Sequence, residues 1–297
     1  MRCAQKRIFA QISHTTMYDK NFSVAVIIST YNNPNLLQKT LIGFENQTVA
    51  PDEMIIADDG STEETANIVQ QFANRLPIKH IWHEDKGYRR SEILNKAVIA
   101  ATSEYLIFTD QDCIPRHDFV RTHCMFAQHG FFLSGGCFRL PINISLNISD
   151  IDIVQGNIFH LKYLRQLGLK WNLKCIKLLN INWFANIMNA ITPARATFNG
   201  CNSSCWRRDA LAVNGFDETL QYGGLDREFG VRMTNIGIKS KQIRYSAICL
   251  HLYHERPYKT DNSMRRNLEV RKISKRQHII ETPNGIQKSK PLCSESK

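Results

Sequence analysis

No stretch of the chain approaches the roughly 18 to 20 consecutive apolar residues of a membrane-spanning helix. The polar start MRCAQKRIFAQISHTTMYDK also lacks the apolar core of a secretory signal, so the expected compartment is the cytoplasm. Nine cysteines are scattered without any paired CxxC, which argues against a disulfide framework or a zinc ribbon and for reduced thiols. The looser pair in CNSSC, Cys201 and Cys205, has no second pair to match it. Acidic residues are in deficit: 27 Asp and Glu stand against 38 Lys and Arg, for a net charge of +11. That balance suits an anionic partner such as a nucleotide, a phosphorylated glycan or an anionic lipid headgroup. Nucleic acid is the weakest of the anionic candidates, because no reader motif accompanies the charge.

What is present is a regular alternation of short apolar runs and amphipathic stretches. FSVAVIISTYNN, from Phe22, is a β-branched run that ends in a turn, and PNLLQKTLIGFEN places Pro34 at a first helical position with Leu37, Leu41 and Phe44 at helical spacing. DEMIIADDGST, IKHIWHED and EYLIFTDQD read as further strands, separated by the helices EETANIVQQFANRL and YRRSEILNKAVIAAT. Such alternation predicts an α/β fold: a mostly parallel sheet built from βαβ units, with helices on both faces. Ligands bind beyond the carboxyl ends of the strands in such sheets. All four runs end there in polar or acidic residues.

The sharpest of these endings is YLIFTDQDCIP. Residues i and i+2 of an extended segment share a face, so Asp110 and Asp112 would crowd two like charges together unless a cation sits between them. Beyond residue 150 the pattern changes. The segment 151–192 interleaves Lys and Arg with leucines at helical intervals, a basic amphipathic stretch suited either to an anionic membrane surface or to a lid over a substrate groove. The expected organisation is an N-terminal extension (1–21), a main domain (22–262) and a basic C-terminal tail (263–297). Within the main domain, 22–140 is one half, 145–192 an insert and 193–262 the other half.

Taken in order, VAVIISTYNN, IIADDGST, EYLIFTDQDCIP, NGCNSSCWRRDALAVNGFDE and YGGLDREFGVRM resemble the family 2 glycosyltransferases of the GT-A fold, with a galactosyltransferase-type acceptor region in the second half. The resemblance implies a Rossmann-like nucleotide-binding sheet with a smaller acceptor-side lobe. It also implies an inverting transfer from a nucleotide-sugar, most simply a UDP-sugar, in the synthesis of a surface glycan such as lipopolysaccharide, O-antigen or capsule. Ser29, Thr30, Tyr31, Asp58 and Asp59 fall where the family holds the nucleoside, and Asp59 matches the acid that accepts from the base. Lys86, Arg89 and Arg90 stand at a helix start, where backbone N–H groups and cations suit phosphate. DQD matches the DxD signature, which implies a divalent cation, Mn²⁺ or Mg²⁺, with Asp112 as direct ligand and Asp110 on the ribose or a metal-bound water. A hard ion of this kind prefers carboxylate and phosphate oxygens. CLHLYHERP offers a further ligand, His254 by the resemblance and His251 as the alternative; three residues apart on an extended chain, the two would face opposite ways.

YGGLDREFG resembles the family's Gly-Gly-Glu-Asp motif, whose aspartate is the general base; that position is Asp226, with Gly223 and Gly224 allowing close approach of a sugar. Leu225 stands where the family usually has Glu. Asn202 is a candidate acceptor contact. The expected partners are thus a nucleotide-sugar donor and a glycan or lipid-linked glycan acceptor. No nucleic acid is among them. The expected setting is the inner face of a bacterial cytoplasmic membrane, held peripherally. Two rivals remain open on the residues alone: a non-catalytic nucleotide-sugar or glycan-binding module, and a nucleotidyltransferase.

Overall fold

The computed structural model describes residues 20–255 and 260–288. The proposed N-terminal extension therefore lies almost wholly outside the described residues, as does the end of the tail. Residues 22–110 fold as the patterning predicts. Strands β1 (Val24–Thr30), β2 (Glu53–Asp58), β3 (Ile78–Trp82) and β4 (Tyr105–Asp110) alternate with helices α1 (Pro34–Glu45), α2 (Glu63–Phe72) and α3 (Arg90–Ala100). Asn33 starts α1: its side chain accepts from the Leu36 amide at 3.3 Å, and Pro34 occupies the first turn.

β1 pairs in parallel with both β2 and β4, and β2 with β3. After β4 come the short β5 (Cys113–Pro115), helix α4 (Phe119–Phe126), β6 (Phe131–Ser134) and β7 (Gly136–Arg139). The insert forms helices α5 (Ile142–Asn147), α6 (Asp150–Val154), α7 (Leu161–Gln166) and α8 (Asn182–Ile191), with 3-10 turns between them. The chain then returns through β8 (Ser203–Trp206), α9 (Arg207–Ala212), α10 (Leu225–Asn235), β9 (Lys239–Gln242) and β10 (Ile248–His251). The main sheet has the order β3-β2-β1-β4-β8-β6-β9, with β8 antiparallel to both neighbours.

Alternation along the central strands sends successive side chains to two cores. Val24, Val26 and Ile28 of β1 pack with Leu37, Leu41 and Phe44 of α1, whereas Ala25 and Ile27 pack with Ile93, Leu94 and Ala97 of α3 and with Phe229 of α10. Helices thus cover both faces. A second sheet, β5-β10-β7, pairs β10 antiparallel to β5 and sets His251 opposite Cys113.

The segment from 263 onward is not a simple tail. Helix α11 (Asp261–Arg276) packs on α10, and the strand-like return after it holds the loop before α10. Thr282 donates to Asp217 at 2.8 Å, and Asn214 bonds the backbone of Thr282 and Gln287. Its abundant charges hid one buried stripe, in which Asn267 and Ser274 face inward. Ser274 donates at 2.9 Å to Glu228, whose i+4 ion pair with Arg232 is fully buried.

Candidate active site

The ends of β1, β2 and β4 form one edge. Gln111, the middle residue of DQD, locks that edge: its Oε1 accepts from the Thr30 hydroxyl at 2.5 Å and the Tyr31 amide at 3.2 Å, and its amide nitrogen donates to the Tyr31 carbonyl. Nothing in the sequence set Gln111 apart. Ser29 donates to Asp110 at 2.8 Å, and the Tyr31 hydroxyl donates to Asp85 at 2.9 Å. Asp58 is corrected from a nucleotide contact to a turn residue. It is wholly buried, with one oxygen accepting from the Ser61 amide at 2.8 Å and the other 2.9 Å from His80 Nε2. Asp59 sits at the rim, held by His83 Nε2 at 2.7 Å and by the Arg89 amide at 3.0 Å. Burial pushes its carboxyl up against the opposing pull of His83.

The three cations of the next helix start diverge. Lys86 is exposed and pairs with Glu84 at 3.0 Å. The Arg89 side chain turns away, to Glu92 at 3.1 Å and to the Glu84 carbonyl, so it braces its own loop where the sequence suggested a phosphate contact. Only Arg90 reaches the strand ends, where its guanidinium bonds Asp110. Burial works against the Arg90 charge, but Asp110, then Tyr88 and Asp226, hold its proton more firmly than usual. Burial likewise pushes the Asp110 carboxyl up; Arg90 opposes this and Asp112 adds to it, which is the like-charge crowding expected of the pair.

Asp112 lies past the end of β4, in the turn into β5, and is 4% exposed. His254 Nε2 is 2.7 Å from its Oδ2, and His251 Nδ1 is 3.4 Å from the same oxygen. The expectation that these histidines face opposite ways is corrected. His251 ends β10, the following residues are irregular, and the two rings stack at 5.6 Å with both on Asp112. A carbonyl oxygen only accepts, so His254 Nδ1 donates to the Glu255 carbonyl at 2.9 Å. In a neutral ring this leaves Nε2 as a lone pair facing a carboxylate oxygen. Two acceptors at that separation need a proton or a cation between them, so the donor set fits a divalent ion. Burial opposes the Asp112 charge, yet His254 and His251 hold its carboxyl below the usual range.

Asp226 stands in the first turn of α10, where the helix dipole favours an anion. Its Oδ2 accepts from the Gly200 amide at 2.7 Å. Gly200 in turn lies against Arg90: a Cβ there would come within 2.6 Å of the guanidinium. Gly223 and Gly224 precede the helix at φ of 109° and 94°, the left-handed region that glycine tolerates. Asn267 of α11 donates to the carbonyls of Gln221 at 2.7 Å and Gly223 at 3.2 Å, so the segment expected as a tail holds this loop. Leu225 points inward, 2% exposed, within the core around Phe229.

Asn202 is corrected as an acceptor contact. It has no exposed surface: its amide donates to the carbonyls of Gly136 and Ala247 at 2.8 and 3.0 Å, and its oxygen is 2.9 Å from His123 Nε2. It ties β7, β8 and β10 together beneath the site.

This fold is shared with solved glycosyltransferases. S. aureus TarS in complex with UDP-GlcNAc superposes with a TM-score of 0.59 at 15% identity over 87% of this chain and 70% of that one. The mannosyltransferase PcManGT from Pyrobaculum calidifontis, in complex with GDP-Man and Mn²⁺, gives 0.54 at 18% identity over 93% and 77%. The fold is GT-A. Within that class the chain belongs to glycosyl transferase family 2, which matches residues 25–178; residues 190–255 match the N-terminal domain of galactosyltransferase. Chondroitin synthase from Escherichia coli is 26% identical over 85% of this chain, which spans 38% of that relative's length.

Proposed function

We propose that the protein is an inverting, metal-dependent glycosyltransferase that moves a sugar from a nucleotide-sugar, a UDP-sugar, onto a growing glycan. One observation carries the reading. A continuous run of contacts leads from Asp226 through Gly200 and Arg90 to Asp110, with the Asp112–His254 pair next along the edge. Two carboxylate functions thus share one edge without sharing a site, as a nucleophile and a leaving group on opposite sides of one carbon require.

The nucleoside rests against Ser29, Thr30, Tyr31 and Asp59, whose positions Gln111 and His83 fix. Asp112 and His254 would hold the divalent ion, which supplies positive charge to the departing diphosphate. Arg90 and Asp110 orient the donor between the two ends, and Lys86 stands at the rim for phosphate. Asp226 takes the proton of an acceptor hydroxyl as that oxygen bonds to the anomeric carbon; the bond to the diphosphate breaks and a nucleoside diphosphate leaves. Gly223 and Gly224 let the acceptor approach. The buried Leu225 supplies no carboxylate there, so acceptor choice falls to other groups.

The chain's place in surface-polysaccharide synthesis at the inner face of a bacterial membrane is supported by the insert. No acidic residue occurs from 153 to 208, while Trp171, Leu173, Trp183 and Ile191 are all more than half exposed. Exposed aromatics among lysines suit an anionic bilayer surface. Among the described residues no helix is long and apolar enough to cross a membrane.

Incubation with a panel of UDP-sugars, Mn²⁺ and oligosaccharide acceptors tests the reading. Release of a nucleoside diphosphate with a lengthened glycan supports it. Release of pyrophosphate would instead indicate a nucleotidyltransferase, and tight donor binding without turnover a binding module. Co-sedimentation with phosphatidylglycerol vesicles but not phosphatidylcholine vesicles is expected, and equal behaviour toward both overturns the membrane setting.

A further inference from the structure

His83, the residue after β3, and Asp59, the residue after β2, are 8% and 6% exposed, and their side chains meet at 2.7 Å, Nε2 to Oδ1. On the far side of the same ring, Lys96 of α3 brings Nζ to 3.1 Å from Nδ1. An ammonium carries three donors and no lone pair, so Lys96 donates and Nδ1 accepts. The ring is therefore neutral with its one proton on Nε2, and Nε2 donates to Asp59. Glu92 does not compete for Nδ1: its Oε1 lies 3.7 Å away and takes Lys96 at 2.8 Å, one turn along the helix. The other Glu92 oxygen takes the Arg89 side chain at 3.1 Å, while the Arg89 backbone amide donates to the second Asp59 oxygen at 3.0 Å. Glu92 thus holds both arms of the arrangement.

Each oxygen of Asp59 already accepts one hydrogen bond, and what each has left is a lone pair. With the other His83 tautomer, Nδ1–H and a bare Nε2, the 2.7 Å contact would need a proton between two acceptors. Burial already pushes the Asp59 carboxyl up, so Asp59 would be the group to take it. As a neutral acid it would be a weaker acceptor and carry a donor of its own. We propose that Lys96, through His83, fixes Asp59 as an acceptor-only group and so sets the nucleobase: a base presenting a ring N–H, as uracil does, is taken, and one presenting a ring lone pair there, as cytosine does, is refused. The inference rests on the reading above that Asp59 meets the base. Two lone pairs brought face to face leave both acceptors unpaired. A site built to bond an N–H refuses an analogue without one far more strongly than an apolar pocket refuses a missing methylene. Lys96 and His83 are positioning residues in this scheme, acting through Asp59 and touching no substrate.

Calorimetry of the full chain with UDP and with CDP, each in Mn²⁺, tests this without turnover. The wild type is expected to bind UDP roughly 100-fold or more tightly than CDP. Lys96→Met and His83→Ala should each lower that ratio by about tenfold or more, whereas Lys96→Arg, which keeps a donor toward Nδ1, should preserve most of it. A purely structural role for the two residues would weaken both nucleotides alike and leave the ratio where it was, which overturns the proposal. Equal binding of UDP and CDP by the wild type also overturns it and leaves the donor reading standing; binding of neither overturns both. Should the variants fail to fold, the wild type decides. Nitrogen-15 spectra of its imidazoles at pH 7 should place the His83 proton on Nε2, and a proton on Nδ1, or on both nitrogens, overturns the assignment.

Discussion

The backbone amide of Gly200 donates to Oδ2 of Asp226 at 2.7 Å, so a loop of the central sheet aims the first-turn carboxylate of α10. An amide side chain can still accept that bond through its oxygen but cannot take a proton. Asp226→Asn is therefore expected to fold and to bind UDP-sugar as the wild type does, while turnover falls by about 10²- to 10⁴-fold, the usual contribution of a general base. Calorimetry for donor binding and product counting for transfer separate the two. Undiminished turnover would move the base elsewhere.

The cation site makes an ordered prediction, because His254 faces Asp112 at 2.7 Å and His251 at 3.4 Å, the latter also bonded to the Leu252 carbonyl at 2.9 Å. His254→Ala should raise the Mn²⁺ concentration needed for half-maximal activity by about 10- to 100-fold, with His251→Ala producing a smaller change. Asp112→Asn should leave little metal-dependent activity at any Mn²⁺ concentration. A larger effect at His251 than at His254 would exchange the two roles.

The parts of this fold that were legible in the sequence are those governed by local periodicity. The first four strands and three helices follow from β-branched runs and helical spacing, and the carboxyl-edge location of the acids follows from their order. Long-range contacts were not legible. Gln111 carries no motif signal, yet it locks the end of β1, and Asn202 looks like a site residue until its three polar contacts are seen to be internal. Helix α11 was hidden by its own charge: a mostly solvated helix needs only a few inward residues, and Ser263, Asn267 and Ser274 do not form an apolar stripe.

The buried network beneath the site predicts a pH response. Burial pushes the His123 imidazole down to about 4, with Asn202 acting weakly the other way. Its Nε2 donates to Asn202, and its Nδ1 accepts from Ser204 at 2.7 Å, the arrangement of a neutral ring. The unfolded chain binds this proton below its ordinary value of 6.5 and the folded protein does not, so the contribution is intact above pH 6.5 and is lost as pH falls toward 4. The full loss is about 3 kcal/mol. Urea unfolding at pH 7 and pH 5 should show about 2 kcal/mol of it, and His123→Gln should flatten the slope over that interval. Asn202→Ala should cost about 1–3 kcal/mol at pH 7 and leave the acceptor KM unchanged.

Helix α11 supplies the last prediction, because Asn267 reaches across to the Gln221 and Gly223 carbonyls just ahead of Asp226. Two left-handed glycines make this loop conformationally permissive, so the amide of Asn267 restricts where the helix start can lie. Asn267→Ala removes both bonds without touching the donor-binding edge. Roughly ten- to hundredfold loss of kcat is expected, since misplacement of a reacting group by about 1 Å carries a penalty of that order, with the donor KM unchanged. A role confined to stability would instead lower the melting temperature and leave kcat of the folded fraction intact. Measuring both on the same preparation distinguishes a loop held for catalysis from one held only for folding.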